Sequence, residues 1–109
     1  EKYGILFMGE RLSANTLGDL LVAVLKKMHD KNGNFLENLS HEGGRVRKIV
    51  ARSPQQLYPG SEHLAEYSRH VAQGWYVGTN YSKNDIRRII KIACGLAGLE
   101  YGKDVRPHL

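Results

Sequence analysis

Only one cysteine, Cys94, occurs in the 109 residues, so neither an internal disulfide framework nor a cysteine-rich zinc module can be built. The reducing cytosol is the expected compartment. Apolar residues nowhere run together for the ~18 positions that a membrane-spanning helix requires, and no membrane partner is expected. The opening Glu1-Lys2-Tyr3-Gly4 lacks the apolar stretch and the small-residue cleavage site of a signal peptide. Repeats with a period of roughly 20–50 residues and low-complexity tracts are also missing, which points to one unit rather than an array. Gly4, Gly9, Gly95, Gly98 and Gly102 do not form a phosphate loop leading into Gly-Lys-Ser or Gly-Lys-Thr. Because no nucleophile stands beside a base and no carboxylates pair, neither catalysis nor a cofactor is expected. The chain has no initiator Met, as expected for a domain cut from a longer protein or for a processed chain, and any self-association is expected to run through segments outside it.

What is present is a modest core and an excess of positive charge. Hydrophobic residues make up 41% of the chain, enough for a single domain of this length. Sixteen Lys and Arg against eleven Asp and Glu leave a formal charge of +5. With a pI near 9.5, a phosphate-bearing or otherwise acidic partner is the natural candidate.

Periodicity organises the chain. Leu17, Leu20, Leu21, Val24, Leu25 and Met28 recur at helical spacing behind Thr16 and Asp19, so a buried helix is predicted from about residue 16 to 30. Phe35, Leu36 and Leu39 suit a short helix, broken at His41-Glu42-Gly43-Gly44. The run Arg45-Val46-Arg47-Lys48-Ile49-Val50-Ala51 reads as a strand, and Ser53-Pro54 as the start of a single helical turn. Residues 61–73 fit either a helix presenting Leu64, Tyr67 and Val71 or a flexible polar connection. Trp75 to Thr79 reads as a second strand. Ser82 and Asp85 then form a capping box ahead of Ile86, Ile89, Ile90, Ala93, Leu96 and Ala97, the clearest amphipathic helix in the chain. Gly102 to Leu109 reads as a poorly ordered tail. The expected fold is a small α+β domain, with helices on a minimal two- or three-stranded β-sheet.

Two constellations bear on chemistry. The first is Thr79-Asn80-Tyr81-Ser82-Lys83 at a strand-to-helix junction. Such a junction offers backbone N–H groups to phosphate, Asn pairs bidentately with the adenine edge, and Ser or Thr serves base or phosphate. Lys83, Arg87, Arg88 and Lys91 follow on the helix side opposite the isoleucines. On composition alone, cap residues and a solvated charged face are the favoured account of the same residues. The second is Gly44-Arg45-Val46-Arg47, where alternation on a strand would send both guanidiniums to one face. A charged, hydrated edge strand is the competing account.

Together, Gly44-Arg45-Val46-Arg47, Ala51, Gln56-Leu57, His70-Val71 and Trp75-Tyr76-Val77-Gly78-Thr79-Asn80 resemble the C-terminal DNA-binding domain of the SeqA family. These are bacterial negative regulators of replication initiation that recognise hemimethylated GATC sites. The family has a Gly-Arg-Thr-Arg segment contacting DNA and a Thr-Asn-Thr-Asn loop reading the methylated A·T pair in the major groove. The resemblance implies that Arg45 and Arg47 match the two arginines and that Thr79 and Asn80 match the first Thr-Asn. Val46 stands where the family has Thr, and Ser82 where it has the second Asn. The likeness is distant and spans residues 13–97, with no counterpart for Ser61 to Arg69.

The expected function is therefore a non-enzymatic module for duplex DNA. Arg45, Arg47, Lys83, Arg87 and Arg88 would hold the backbone, and Thr79, Asn80 and Ser82 would stand at base edges. On the same resemblance, a nucleoid-associated place in the cytoplasm and a role as replication inhibitor are implied. Two rivals remain: the target-recognition part of a restriction or other nuclease system, and a basic module for an acidic protein. The latter would gain from a Trp75 exposed in an apolar patch. On a strand, one of Trp75 and Tyr76 must face the core, which limits their use as base-stacking platforms. His63 and His70, with Glu62 and Glu66, would share a helical face if their stretch were helical, but polar surface residues are the preferred reading over a metal site.

Overall fold

The computed structural model describes residues 2–43 and 47–109; Arg45, one of the expected DNA contacts, lies outside the described residues. The chain opens with a hairpin, β1 (Tyr3–Phe7) and β2 (Glu10–Ala14), paired from Tyr3↔Ala14 to Phe7↔Glu10. Met8 and Gly9 form its two-residue turn with φ of 51° and 84°. Positive φ at both central residues matches the right-handed twist of the strands it joins. Ile5 and Phe7 alternate into the core, while the backbone of β1 receives a second partner on its other side.

That partner comes from the far end of the chain. Residues 102–109, expected as a loose tail, contribute β6 (Val105–His108), paired antiparallel to β1 from Gly4↔His108 to Phe7↔Val105. Pro107 is tolerated there because β6 is the edge strand of the sheet, beyond the Tyr101 bridge to Val105.

Helix α1 (Leu17–Lys31) starts where the sequence pattern places it, with the Thr16 hydroxyl accepting from Asp19 N–H at 3.1 Å. Leu20, Leu21, Val24, Leu25 and Met28 are fully buried. The short α2 (Phe35–Leu39) buries all three of its apolar residues. Helix α3 (Lys83–Ala97) carries the full capping box of Ser82 and Asp85 and ends at Gly98, whose φ of 72° closes the last turn. Gly95 in its interior costs about 1 kcal/mol relative to Ala. Burial of Ile86, Ile89 and Ile90, at roughly 1.5–3 kcal/mol each, outweighs that, so the helix runs through it.

The second sheet has the order β3-β5-β4, built from β3 (Val50–Ala51), β4 (Ser68–Ala72) and β5 (Trp75–Gly78). Two expectations change here. The predicted strand starts at Arg45; Arg45 and Val46 lie outside the described residues, and from Arg47 onward only Val50 and Ala51 are strand, because Lys48 bridges to Gly43 and its N–H bonds to Leu57, outside the sheet. Residues 61–73 are neither a helix nor a polar connection: Glu62–Leu64 make one 3-10 turn, and β4 pairs with β5. The expected turn at Pro54–Leu57 is also 3-10.

The class is α+β as expected, with two three-stranded antiparallel sheets among the described residues in place of one minimal sheet. The main core gathers Ile5, Phe7, Val77 and Val105 from both sheets with the apolar faces of the helices. Because Val50 and Val77 face that core, the alternating Ala51 and Tyr76 face outward, where they meet Leu57, Tyr58 and Leu64 in a second, smaller cluster. That cluster underlies the candidate site.

Candidate nucleic-acid interface

The loop Thr79-Asn80-Tyr81 leaves the end of β5 and enters α3 through Ser82. Its backbone is held on several sides. Thr79 N–H donates to the Tyr67 carbonyl at 3.0 Å, Tyr81 N–H to the Thr79 carbonyl at 3.0 Å, and Gly78 N–H to Ile49 at 3.4 Å. Thr79 also rests on α1 at Gly18, where an added Cβ would lie 2.8 Å from Thr79 Cβ. The absence of a side chain at Gly18 lets the helix approach the loop.

Arg47 completes the fixation. Its Nη1 donates to the Asn80 carbonyl at 2.6 Å, and its Nη2 donates to Tyr58 Oη at 3.1 Å. The Tyr58 hydroxyl in turn donates to the Tyr67 carbonyl at 2.8 Å. The guanidinium carbon lies 3.6 Å from the centre of the Tyr81 ring and 4.9 Å from that of Tyr58. Arg47 is half-buried, and its Nε is enclosed without a hydrogen-bond partner among the described residues. The Tyr81 phenol is pushed above its ordinary range by burial, against the opposing pull of the Arg47 charge. Gly78 keeps this arrangement possible, since a Cβ there would meet Tyr58 Oη at 2.9 Å and Arg47 Nη2 at 3.2 Å.

With its carbonyl held by Arg47, Asn80 is exposed, and its side-chain amide makes no hydrogen bond to the described residues. Thr79 is half-buried. Ser82 is occupied as a cap: its Oγ accepts from Asp85 N–H at 3.2 Å, and Asp85 Oδ2 accepts from Ser82 N–H at 3.3 Å. Hydrogen bonding to the carboxylate by the Ser82 side chain and then by the Ser82 backbone N–H holds the Asp85 carboxyl below the usual range.

The cations expected on α3 are all exposed and differ in their engagement. Arg87 Nη1 donates to Asn84 Oδ1 at 3.0 Å, while Arg88 Nη2 stands 3.8 Å from Asp85 Oδ1. Lys83 Nζ lies 5.7 Å from the centre of the Tyr3 ring, and Lys2 Nζ 5.8 Å from the same ring. Thus Asn80, Ser82 and Lys83 are exposed along the loop and the start of α3, with Arg87 and Arg88 one turn further on, whereas Thr79 packs on Gly18 and Arg47 is bonded to the loop backbone.

Sequence patterns missed the tyrosines. Tyr58, Tyr67 and Tyr81 surround Arg47 or supply its second tier of hydrogen bonds, yet they come from three separate segments. Tyr67, 44% exposed, and Arg69, 3.5 Å from Asp19, border the loop through the start of β4. An alternative feature sits at the other end of β5. Trp75 is buried, with the Arg52 guanidinium 3.7 Å from its ring centre and Glu37 3.6 Å from Arg52; they line an open pocket of about 660 Å³. His63 lies on the 3-10 turn and His70 on β4, where it packs edge-on to Tyr76 at 5.4 Å between ring centres, so they do not share a helical face. Among the described residues, no three His, Cys, Asp or Glu side chains come together as a metal-ligand set, and no helix is long and apolar enough to cross a membrane.

Compared with protein-family models, with curated proteins and with solved structures, the chain finds no match.

Proposed function

We propose that this domain binds duplex DNA as a recognition module without catalytic activity of its own. One observation carries the reading: an exposed Asn80 amide, without a hydrogen-bond partner among the described residues, is presented on a loop whose backbone is held by Arg47 and Tyr67. A side chain offering one acceptor and two donors on a rigid support suits bidentate pairing with the N6 and N7 edge of adenine. The α3 N-terminus and the exposed Lys83, Arg87 and Arg88 suit phosphates on either side. The resemblance to the SeqA family gives the reading its most specific form, recognition of hemimethylated GATC, with a role in restraining replication and a place on the nucleoid.

Against the acidic-protein alternative stands Trp75, which is only 7% exposed and covered by Arg52 rather than open in an apolar patch. Against nucleophilic chemistry stands Cys94, buried on α3 with its thiol pushed up to about 11.

An electrophoretic titration with one GATC duplex in unmethylated, hemimethylated and fully methylated form tests the proposal. The hemimethylated duplex should bind tightest. Asn80→Ala should remove roughly 1–3 kcal/mol of discrimination. Lys83→Ala should weaken all three alike and flatten the salt slope by about one unit. Equal binding of duplex DNA and heparin at physiological salt would sink the DNA reading and favour an acidic protein partner.

A further inference from the structure

We infer that Arg47 is a positioning residue that sets the presentation of Asn80, and that it is not one of the phosphate ligands. The inference rests on the duplex-binding reading and departs from the role that the two matched arginines would have by resemblance.

Three observations lead to it. The fork of the guanidinium is directed inward: one terminal nitrogen is bonded to the Asn80 carbonyl, the other to the buried Tyr58 hydroxyl. Its flat face is stacked on Tyr81, the residue that follows Asn80. Tyr58 is only 2% exposed and is tied through Tyr67 to Thr79, so the arginine clamps both ends of the three-residue loop to one anchor.

The chemistry requires arginine. A planar group must stack on one ring while its two terminal nitrogens reach acceptors in different directions, which a lysine ammonium on a flexible stem does not reproduce. Withdrawal of a guanidinium to contact phosphate would leave the Asn80 carbonyl and Tyr58 without the Arg47 donor, and exchange a half-buried stacking contact for a solvated ion pair.

Positioning and phosphate binding make opposite predictions for two variants. Each phosphate contact adds about 0.9 to the slope of log affinity against log salt. If Arg47 positions the loop, Arg47→Met leaves the slope unchanged but reduces preference for the tightest of the three GATC duplexes about tenfold or more. Arg47→Lys fails to restore that preference. If Arg47 instead holds a phosphate, Arg47→Met lowers the slope by about 0.9 and weakens every duplex alike, while Arg47→Lys recovers most of the binding; that pattern overturns the inference.

A measurement without DNA keeps this separate from the fate of the functional reading. Amide hydrogen exchange at Thr79 and Tyr81 should accelerate at least tenfold in Arg47→Met, with the amides of α1 and β1 unchanged. Unchanged exchange in the loop overturns the positioning role whether or not the protein binds DNA. Should Arg47→Met fail to fold, Tyr81→Leu removes the stacking surface alone, and the same local acceleration is expected.

Discussion

The Arg47 guanidinium lies flat enough against Tyr81 to bring its central carbon within 3.6 Å of the ring centre while the same group donates to the Asn80 carbonyl. A cation that composition alone would assign to the solvated surface is thereby built into the support of the loop. Half-buried stacking of this kind contributes on the order of 1 kcal/mol, at the upper end of what a surface ion pair gives.

Two glycines are the tolerances of that support, and alanine at either should disturb it. At Gly78 the new methyl would stand 2.9 Å from the Tyr58 hydroxyl, which is fixed by bonds to Arg47 and Tyr67. Overpacking of this size costs about 1–3 kcal/mol, readable as a lowered midpoint in urea unfolding. Gly18→Ala is the more pointed test, because alanine in a helix is favoured by up to about 1 kcal/mol. The 2.8 Å approach to Thr79 Cβ should outweigh that gain, so the variant is expected to lose stability. A stabilised Gly18→Ala would show that the helix does not bear on the loop.

Acid should weaken the start of α3. Asp85 has its pKa lowered in the fold, chiefly by Ser82, so its contribution is present above the ordinary aspartate range near 4 and is lost as pH falls through the lower folded value. Asp85→Asn is therefore expected to be less stable than the parent at pH 7, by under about 1 kcal/mol since the group is partly solvated, and to converge with it near pH 2. Thermal melts of both proteins across that range check the sign. Ser82→Ala should cost about 1 kcal/mol at pH 7 through loss of the cap.

Met8 holds a positive φ of 51° in the first hairpin turn although it is not glycine, and its side chain is 52% exposed. Asparagine adopts that conformation more readily, and Asn-Gly is the favoured pair for such a turn. Met8→Asn should raise stability by about 0.5–1 kcal/mol, measured by thermal unfolding, with the Met8 N–H bond to Asp104 retained.

Cys94 is expected to resist thiol reagents. Burial, with a smaller contribution from Asp104, pushes its pKa up to about 11, so almost no thiolate exists at pH 8. A colorimetric thiol assay should show no reaction in the folded protein and one equivalent after denaturation. Fast modification of the native state would mean that the α3 C-terminal half opens readily.

What the sequence determined by itself is what local spacing and cap chemistry specify. The apolar stripes of α1 and α3 emerge within a residue of their expected starts, with Thr16 and Ser82 as caps, because helix faces and caps are set by residues three and four apart. The exposed cations of α3 and the burial of Cys94 follow from the same period. Strands are different, because a strand is stabilised by a partner that its own residues do not name. Tyr3–Phe7 becomes a central strand only when Val105–His108 arrives from the opposite end of the chain, and Ser68–Ala72 becomes a strand only beside β5. The same limit applied to the candidate site. Thr79, Asn80, Ser82 and Lys83 could be found because they are consecutive or nearly so. Whether Arg47 faces solvent or supports the loop depended on Tyr58, Tyr67 and Tyr81, brought together from separate segments by the second sheet, and only the tertiary structure could decide it.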